Sequence, residues 1–194
     1  IISGVYAKDS GSVFLEGKEQ NFAVPKDAME AGIRVIHQEI NMVQTLSIAE
    51  NIFLGNYPTK NGVVDWKRLY KDARSVMGIL GDTVDVEQKV SHVSIAEQQM
   101  IEIAKAVSVE PKILLMDEPT AALNDQETEN LFELLESLKK KGVSIIYITH
   151  RFSEIYRLAD RATVLRDGES VATLRKGELN DDTLVKLMVG EGKA

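Results

Sequence analysis

Two short apolar segments joined by an amphipathic helix constrain the fold of this chain more than any other feature. Residues 113–116 are apolar throughout and end abruptly at Asp117, and residues 143–150 form a second, largely apolar run that ends at His150. Between them, leucines recur at helical spacing, at Leu131, Leu134, Leu135 and Leu138. An apolar run of this kind is typical of a strand buried in a parallel sheet, and a strand–helix–strand unit makes its two strands parallel. We therefore predict an α/β core in which Asp117, Glu118 and His150 emerge from the same edge of the sheet.

An antiparallel portion and a helical block precede this core. Residues 12–15 and 18–24 predict a hairpin of short strands, and residues 33–38 predict a strand that delivers Gln38 to its end. The character then changes to helix, and residues 47–108 are predicted to form a helical block. Three helix starts with a capping residue lie within it, at Ser47, Asp65 and Ser94.

The composition excludes several classes of protein. With 44% hydrophobic and 27% charged residues among 194, the chain can bury a sizeable core, which excludes disorder. Lys and Arg number 23 against 30 Asp and Glu, and the resulting net charge of −7 argues against a general affinity for nucleic acid. The chain has no cysteine, which excludes disulfides and thiolate metal sites, and its apolar runs are too short to cross a bilayer.

Two adjacent carboxylates at the end of the first apolar run are the strongest candidates for chemistry. Burying Asp117 and Glu118 costs free energy unless a cation or a reacting proton uses them. On an extended backbone their side chains point to opposite sides, so that one can hold Mg²⁺ through its waters while the other faces a nucleophilic water. The alternative is that both acids occupy a solvated strand end. The apolar run before them and Pro119-Thr120 after them favour the functional interpretation.

His150 and Gln38 are candidate site residues because of their predicted position relative to this acidic pair. Taken alone, a histidine at a strand end is more often a structural residue, and a lone glutamine is usually a surface residue. Gln38 offers an amide oxygen for a metal and an NH₂ group for a water or a phosphate. Its predicted position, and that of His150 beside Asp117 and Glu118, make both candidate site residues.

The tetrapeptide Ser94-Ile95-Ala96-Glu97 is a further candidate, because it is predicted to open a helix. The free amides of a helix start are a ready anion site. The same tetrapeptide also begins at Ser47, so helix capping alone is the alternative, and Glu97 would repel a phosphate. None of the 13 glycines lies in a phosphate-cradling loop of the form G-x-x-x-x-G-K-[ST].

Together these residues resemble the nucleotide-binding domain of ABC transporters, over practically the whole chain. Residues 113–118 are similar to the Walker B strand with its catalytic glutamate, Gln38 to the Q-loop glutamine and His150 to the switch histidine. Residues 93–97 stand where the family carries its LSGGQ signature, and residues 122–124 occupy the D-loop. The resemblance implies a single P-loop NTPase-like domain over residues 1–194, with an α/β core of parallel strands, an antiparallel portion and an inserted helical subdomain at about residues 47–108.

The chain departs from the family pattern in three places. Ile95 and Ala96 replace the two glycines of the signature, with Glu97 in place of glutamine. Asn124 replaces the aspartate that commonly ends the D-loop. By the resemblance, the Walker A loop and the aromatic residue that stacks on adenine would lie before Ile1. We therefore expect the chain to be a fragment that is inactive in isolation and binds ATP weakly or not at all.

The nearest resemblance is to the first nucleotide-binding domain of bacterial importers for ribose, galactose and similar monosaccharides. It rests on residues 35–39, 46–55, 98–106 and 187–190. It implies an ATPase at the cytoplasmic face of the bacterial inner membrane, using ATP and Mg²⁺ to energise sugar import. The implied partners are transmembrane permease subunits, a second nucleotide-binding domain and, indirectly, a periplasmic sugar-binding protein, with no nucleic acid.

The resemblance also implies a role for each candidate residue in the complete protein. Glu118 would polarise the attacking water, Asp117 and Gln38 would support Mg²⁺, and His150 would contact the γ-phosphate. Residues 94–97 would act on nucleotide held by the opposing domain. The alternatives are a regulatory or interaction module of the same fold without nucleotide binding, and a cytosolic ABC protein that acts on ribosomes or DNA, which the acidic composition disfavours.

Overall fold

The computed structural model describes residues 1–81 and 84–190, which fall into two compact units. The first unit comprises Ile1–Ile148 and the second begins at Thr149. Among the described residues, no helix has both the length and the apolar character that crossing a bilayer requires.

The first unit opens with a hairpin, a short helix and a strand. These are β1 (Val13–Leu15), β2 (Lys18–Gln20), α1 (Pro25–Glu30) and β3 (Ile33–Ile36). The predicted hairpin is confirmed, and its second strand is shorter than expected. Glu16 and Gly17 form its turn with φ of 52° and 76°, the positive values that a tight two-residue hairpin turn requires.

In its described residues, 47–81 and 84–108, the helical block contains three α-helices, a short 3₁₀ helix (Val90–His92) and an additional hairpin. Its elements are α2 (Ile48–Ile52), β4 (Thr59–Lys60), β5 (Val63–Val64), α3 (Trp66–Ile79) and α4 (Ile95–Val107). The helix starts predicted at Ser47, Asp65 and Ser94 are confirmed, since each of these side chains accepts a hydrogen bond from a backbone N–H of the first turn. The β4–β5 hairpin was not predicted, although Asn61-Gly62 at its turn is a strong hairpin signal.

A three-stranded parallel sheet forms the centre of the first unit. It contains β3, β6 (Ile113–Asp117) and β7 (Ser144–Ile148) in that order, and α5 (Asp125–Lys140) connects the last two strands. The predicted strand–helix–strand unit and its parallel strands are therefore confirmed. Four fully buried side chains contribute to its core, Leu114, Met116, Leu131 and Leu135.

The strand β7 is less buried than an apolar strand of a parallel sheet usually is. Among the described residues it pairs only with β6, so it forms an edge of the sheet. Ile146 and Ile148 are 38% and 46% exposed. The strand predicted over residues 143–150 ends at Ile148, and His150 lies outside it.

The second unit is a small α+β arrangement. It contains α6 (Phe152–Leu158), an antiparallel hairpin of β8 (Arg161–Arg166) and β9 (Glu169–Arg175), and α7 (Asp181–Val189). The Tyr156 hydroxyl donates a hydrogen bond to the Asp181 carboxylate, which ties α6 to the start of α7. An Arg166 guanidinium nitrogen donates to the Leu187 carbonyl at 2.8 Å. It thereby supplies a hydrogen-bond donor to one of the carbonyls in the last turn of α7.

Candidate functional site

The acidic pair lies at the carboxyl end of the central strand. Asp117 is the last residue of β6 and stands opposite Ile148 of β7. The backbone N–H of Glu118 donates to the Ile148 carbonyl at 3.0 Å, so the ladder between the two strands extends one residue beyond β6. Both acidic residues are half-buried. They therefore occupy a position fixed by the sheet and not by a free loop.

Glu118 adopts a left-handed backbone conformation. Its φ is 45°, a value that costs a residue with a side chain about 1–2 kcal/mol. The expectation that both acids lie on one extended strand with alternating side chains is therefore wrong for Glu118, because the chain turns sharply there. Non-glycine residues in sparsely populated conformations cluster at functional sites, where the surrounding structure holds them.

A compact turn holds this conformation in place. The Glu118 carbonyl accepts a hydrogen bond from the Ala121 N–H at 3.2 Å, and the Thr120 carbonyl accepts one from the Leu123 N–H at 3.1 Å. Pro119 and Thr120 are buried, and Thr120 is only 2% exposed. The buried pair Pro119-Thr120 therefore anchors the turn that carries Glu118. This gives a structural role to the two residues that follow the acidic pair in the sequence.

Asn124 has a structural role at the end of this segment. Its side-chain oxygen accepts a hydrogen bond from the Glu127 N–H at 2.9 Å, and the Glu127 carboxylate accepts one from the Asn124 N–H at 2.8 Å. This reciprocal capping box starts α5. An aspartate would cap the helix equally well, so the departure from the family pattern at Asn124 leaves the helix start intact.

The other two predicted strand-end residues follow the neighbouring strands. Gln38 is exposed and comes two residues after the last residue of β3, which pairs with β6. The carboxyl ends of β3 and β6 lie at the same edge, so the structure brings Gln38 to the edge that carries Asp117 and Glu118. His150 follows Ile148 by two positions in the chain and belongs to the second unit.

The donor set at this edge fits a metal that arrives with a nucleotide. In residues 1–81 and 84–190, no group of three or more His, Asp and Glu side chains is placed to hold a metal ion. Mg²⁺ in phosphate-binding sites retains several waters and takes only one or two protein ligands besides the phosphates. The Asp117 carboxylate and the Gln38 amide oxygen are ligands of the type that such an ion accepts.

The tetrapeptide at residues 94–97 begins α4 and is not part of the strand-end edge. The Ser94 hydroxyl accepts a hydrogen bond from the Glu97 N–H at 3.2 Å, and the Glu97 carboxylate accepts one from the Ser94 N–H at 2.7 Å. Two of the amides expected to be free for an anion are thus satisfied within the helix start. The side chain of Ile95 is 66% exposed beside them.

Comparisons with known proteins define the class of protein. The sequence profile of the family described as "ABC transporter" matches residues 1–121 of this chain. The chain therefore belongs to the ABC transporter family, and the family resemblance is confirmed.

Particular relatives are import proteins. The chain is 46% identical to "Ribose import ATP-binding protein RbsA" of Caldanaerobacter subterraneus subsp. tengcongensis, over 98% of this chain and 38% of that protein. It is 44% identical to the protein of the same name from Geobacillus kaustophilus, over 98% of this chain and 39% of that protein. The chain thus spans about two fifths of the length of these relatives.

Solved structures confirm the fold class. A nucleotide-free ATP-binding cassette from an ABC transporter matches with a TM-score of 0.80 at 23% identity, covering 98% of this chain and 81% of that one. A dimeric ATP-binding cassette in a post-hydrolysis state, bound to ADP and Pi, matches with a TM-score of 0.77 at 21% identity, over 90% and 77% of the two chains. The α/β core with parallel strands and an antiparallel portion is therefore the fold of ATP-binding cassettes.

Proposed function

We propose that this chain belongs to the ATP-hydrolysing subunit of a monosaccharide importer and carries most of its catalytic strand-end edge. The observation that carries the proposal is the left-handed Glu118 beside Asp117, at the end of the central strand and hydrogen-bonded to β7. A relative with 46% identity over nearly the whole chain bears the name of a ribose import ATP-binding protein, which supports sugar import as the process that hydrolysis energises.

Each residue of the edge has a role in this proposal. Glu118 accepts a proton from the attacking water and orients it, while Asp117 and Gln38 would hold a Mg²⁺ ion that arrives with ATP. When bound, such an ion would supply positive charge that offsets the charge of the phosphoryl group. His150 donates a hydrogen bond to the γ-phosphate. Because little covalent chemistry is required of the protein in phosphoryl transfer, positioning and electrostatics account for the catalysis.

The proposal needs further parts of the protein. A phosphate-binding loop that precedes Ile1 in the longer protein would hold the triphosphate, and residues 94–97 would contact nucleotide held by a second nucleotide-binding domain. The relatives are more than twice as long as this chain, which leaves room for both. We place residues 1–194 in one nucleotide-binding domain, with residues 47–108 as its helical subdomain.

The proposed partners follow from the import function. Transmembrane permease subunits would receive the work of ATP hydrolysis, with the segment between Gln38 and the helical block as the contact, and a periplasmic binding protein would deliver the sugar. The protein would then act at the cytoplasmic face of the bacterial inner membrane. Nucleic acid is not among the proposed partners, in keeping with the net charge of −7.

The test is the variant Glu118→Gln in the protein that contains this chain together with its phosphate-binding loop. ATP binding should stay within about threefold of the wild type, and turnover should fall by about 10³-fold, because general-base catalysis is worth roughly 10²–10⁴-fold. Glu133→Gln is the matched control, since it makes the same charge change at an exposed position on α5. Turnover retained in Glu118→Gln rejects Glu118 as the base, and a wild-type protein that neither binds nor hydrolyses ATP supports the regulatory module instead.

A further inference from the structure

The β4–β5 hairpin and the first turns of α3 carry positive charge on a chain that is negative overall. Residues 57–75 contain five basic and two acidic side chains, whereas the whole chain has a net charge of −7. The basic residues are Lys60, Lys67, Arg68, Lys71 and Arg74. Attraction between exposed charges is screened beyond about 8–10 Å at ordinary salt. A surface that approaches this segment therefore meets its local positive charge and not the net charge of the chain.

The two arginines of the segment are engaged within the chain, and the three lysines are not. Arg68 pairs with Asp72 at 3.4 Å, and Arg74 pairs with Glu87 at 3.2 Å. Within residues 1–81 and 84–190, no ion pair is formed by the exposed side chains of Lys60, Lys67 and Lys71. The last two stand four positions apart on α3, where like charges repel each other and destabilise the helix. An anion outside the chain would relieve this repulsion.

A row of three aromatic rings adjoins the lysines. The ring centroid of Trp66 lies 6.4 Å from that of Tyr57 and 6.1 Å from that of Tyr70. Trp66 nevertheless remains 45% exposed. Lys67 and Lys71 each come one position after Trp66 and Tyr70, so the column of lysines runs beside the column of rings on the surface of α3.

The hairpin adds an exposed aliphatic side chain. Val63 is 68% exposed and stands opposite Lys60 in the register of β4 and β5. Opposite residues of an antiparallel pair present their side chains on the same face, so these two are neighbours. The Asp65 N–H donates to the Pro58 carbonyl at 2.8 Å and closes the hairpin directly before α3. We call the three lysines, Val63 and the three rings the aromatic-basic patch.

The composition of the aromatic-basic patch favours anionic lipid over nucleic acid. Proteins that bind single-stranded nucleic acid stack its bases on open aromatic faces. Trp66 already packs against two tyrosine rings, and Val63 offers a base no hydrogen bond. At a bilayer, tryptophan and tyrosine concentrate at the level of the headgroups, and lysines extend from apolar surroundings to reach them. Anionic headgroups attract each basic side chain that comes close to them.

We propose that the aromatic-basic patch binds an anionic membrane surface. The ammonium groups of its lysines contact lipid phosphates, and Trp66 and Val63 enter the boundary between headgroups and acyl chains. That a membrane lies within reach rests on the proposed function, whereas the affinity of the patch for lipid does not. Because few apolar side chains enter the bilayer, the contact is reversible and depends on salt.

The first test is cosedimentation of the protein that contains this chain with lipid vesicles, without ATP or permease. Vesicles of phosphatidylglycerol and phosphatidylcholine in equal parts should bind it, and phosphatidylcholine alone should not. Lys67→Gln combined with Lys71→Gln should weaken binding by about 25-fold, because each basic side chain near an anionic surface contributes roughly fivefold.

The matched control is Lys140→Gln combined with Lys141→Gln, which makes the same charge change at exposed positions at the end of α5. Its binding should stay within about twofold of the wild type, because the attraction falls off within a Debye length of the lipid surface. Equal losses in the two double variants would show that overall charge alone matters, and equal binding to both kinds of vesicle would show that anionic lipid is not recognised. Either result overturns the proposal.

Trp66 reports whether the aromatic part of the patch reaches the acyl chains. It is the only tryptophan of this chain, and the Trp66→Phe variant isolates its emission by difference in the longer protein. Brominated acyl chains quench indole fluorescence on contact, so anionic vesicles that contain them should quench the Trp66 emission. Bound protein with unquenched Trp66 overturns the proposed contact.

Competition with RNA tests the other class of partner. Single-stranded polyuridylate should not displace the protein from anionic vesicles at equal concentrations of phosphate. If it does, and if Lys67→Gln with Lys71→Gln weakens RNA binding equally, the patch serves nucleic acid and the lipid proposal is overturned.

The lipid proposal and the proposed function fail separately. Vesicle binding requires neither ATP nor permease, so a wild-type protein without turnover would reject the ATPase assignment and leave the lipid result standing. Normal turnover without vesicle binding would reject only the lipid contact.

Discussion

The identical helix starts at Ser47 and Ser94 allow helix capping to be separated from a role in nucleotide contact. Ser94→Ala removes the acceptor for the Glu97 N–H, at 3.2 Å, and should cost about 1 kcal/mol of unfolding free energy, as is usual for such caps. Ser47→Ala removes the same kind of acceptor and also a hydroxyl that donates to the Glu50 carboxylate at 2.6 Å. Because Ser47 is only 5% exposed, its loss should cost about 1–2 kcal/mol.

The order of the two variants should be reversed for turnover: Ser94→Ala, the less destabilised variant, should lose more turnover than Ser47→Ala. Urea denaturation measures the stability change, and a loss of 1 kcal/mol corresponds to a fall in melting temperature of about 2–4 °C for a chain of this size. If Ser94 contacts nucleotide across a domain interface, Ser94→Ala should lower turnover by about 10²-fold, the usual cost of removing one donor to transition-state charge. Ser47→Ala should lower it by less than about twofold, although it is the more destabilised protein.

Two results would refute this reasoning. Equal turnover of Ser94→Ala and wild type would leave Ser94 with capping alone, which is the alternative that the repeated tetrapeptide raised. A loss of turnover in Ser47→Ala as large as that in Ser94→Ala would mean that the stability of the helical block, and not contact with nucleotide, limits the reaction.

Two further predictions concern the left-handed backbone of Glu118 and Glu110, and the tyrosine Tyr156, which donates a hydrogen bond to the Asp181 carboxylate. Glu118 and Glu110 have φ values of 45° and 49°. At each position the Gly variant should be more stable than the Ala variant by about 1 kcal/mol in urea denaturation, because only Gly adopts this conformation without strain. A more stable Ala variant would contradict the left-handed conformation. The hydrogen bond to Asp181 raises the pKa of Tyr156 to about 12, so the phenol stays protonated at pH 11. Asp181→Asn should lower that pKa toward its ordinary value of about 10 and add about one ionised tyrosine per chain at pH 11 by ultraviolet absorbance, whereas Asp182→Asn should not.

Features that depend on near neighbours in the chain were predictable. The helix starts at Ser47 and Ser94 were found because a capping box is complete within four residues. The strands β6 and β7 and the leucine-rich helix between them were found because apolar spacing reflects which side of an element is buried. The missed hairpin at Asn61-Gly62 carried a local signal too, but two-residue strands inside a helical block give almost no periodicity to detect.

The conformation of Glu118 was not predictable from its neighbours. No residue type in the sequence indicates a left-handed glutamate, because the conformation is imposed by the hydrogen bond to Ile148, thirty positions away, and by the buried turn at Pro119-Thr120. The partial exposure of β7 was missed for a related reason, since an apolar run predicts burial but does not state how many neighbours the strand has.

By itself the sequence determined which segments become helices and strands, which residues begin them and which polar side chains stand at the strand ends, because these properties follow from spacing and from contacts within one or two turns. Only the tertiary structure decided how those ends are used. The turn at Glu118 and the partial exposure of β7 both depend on how distant elements pack against one another, and burial and hydrogen-bond satisfaction are properties of that packing rather than of any local stretch of chain.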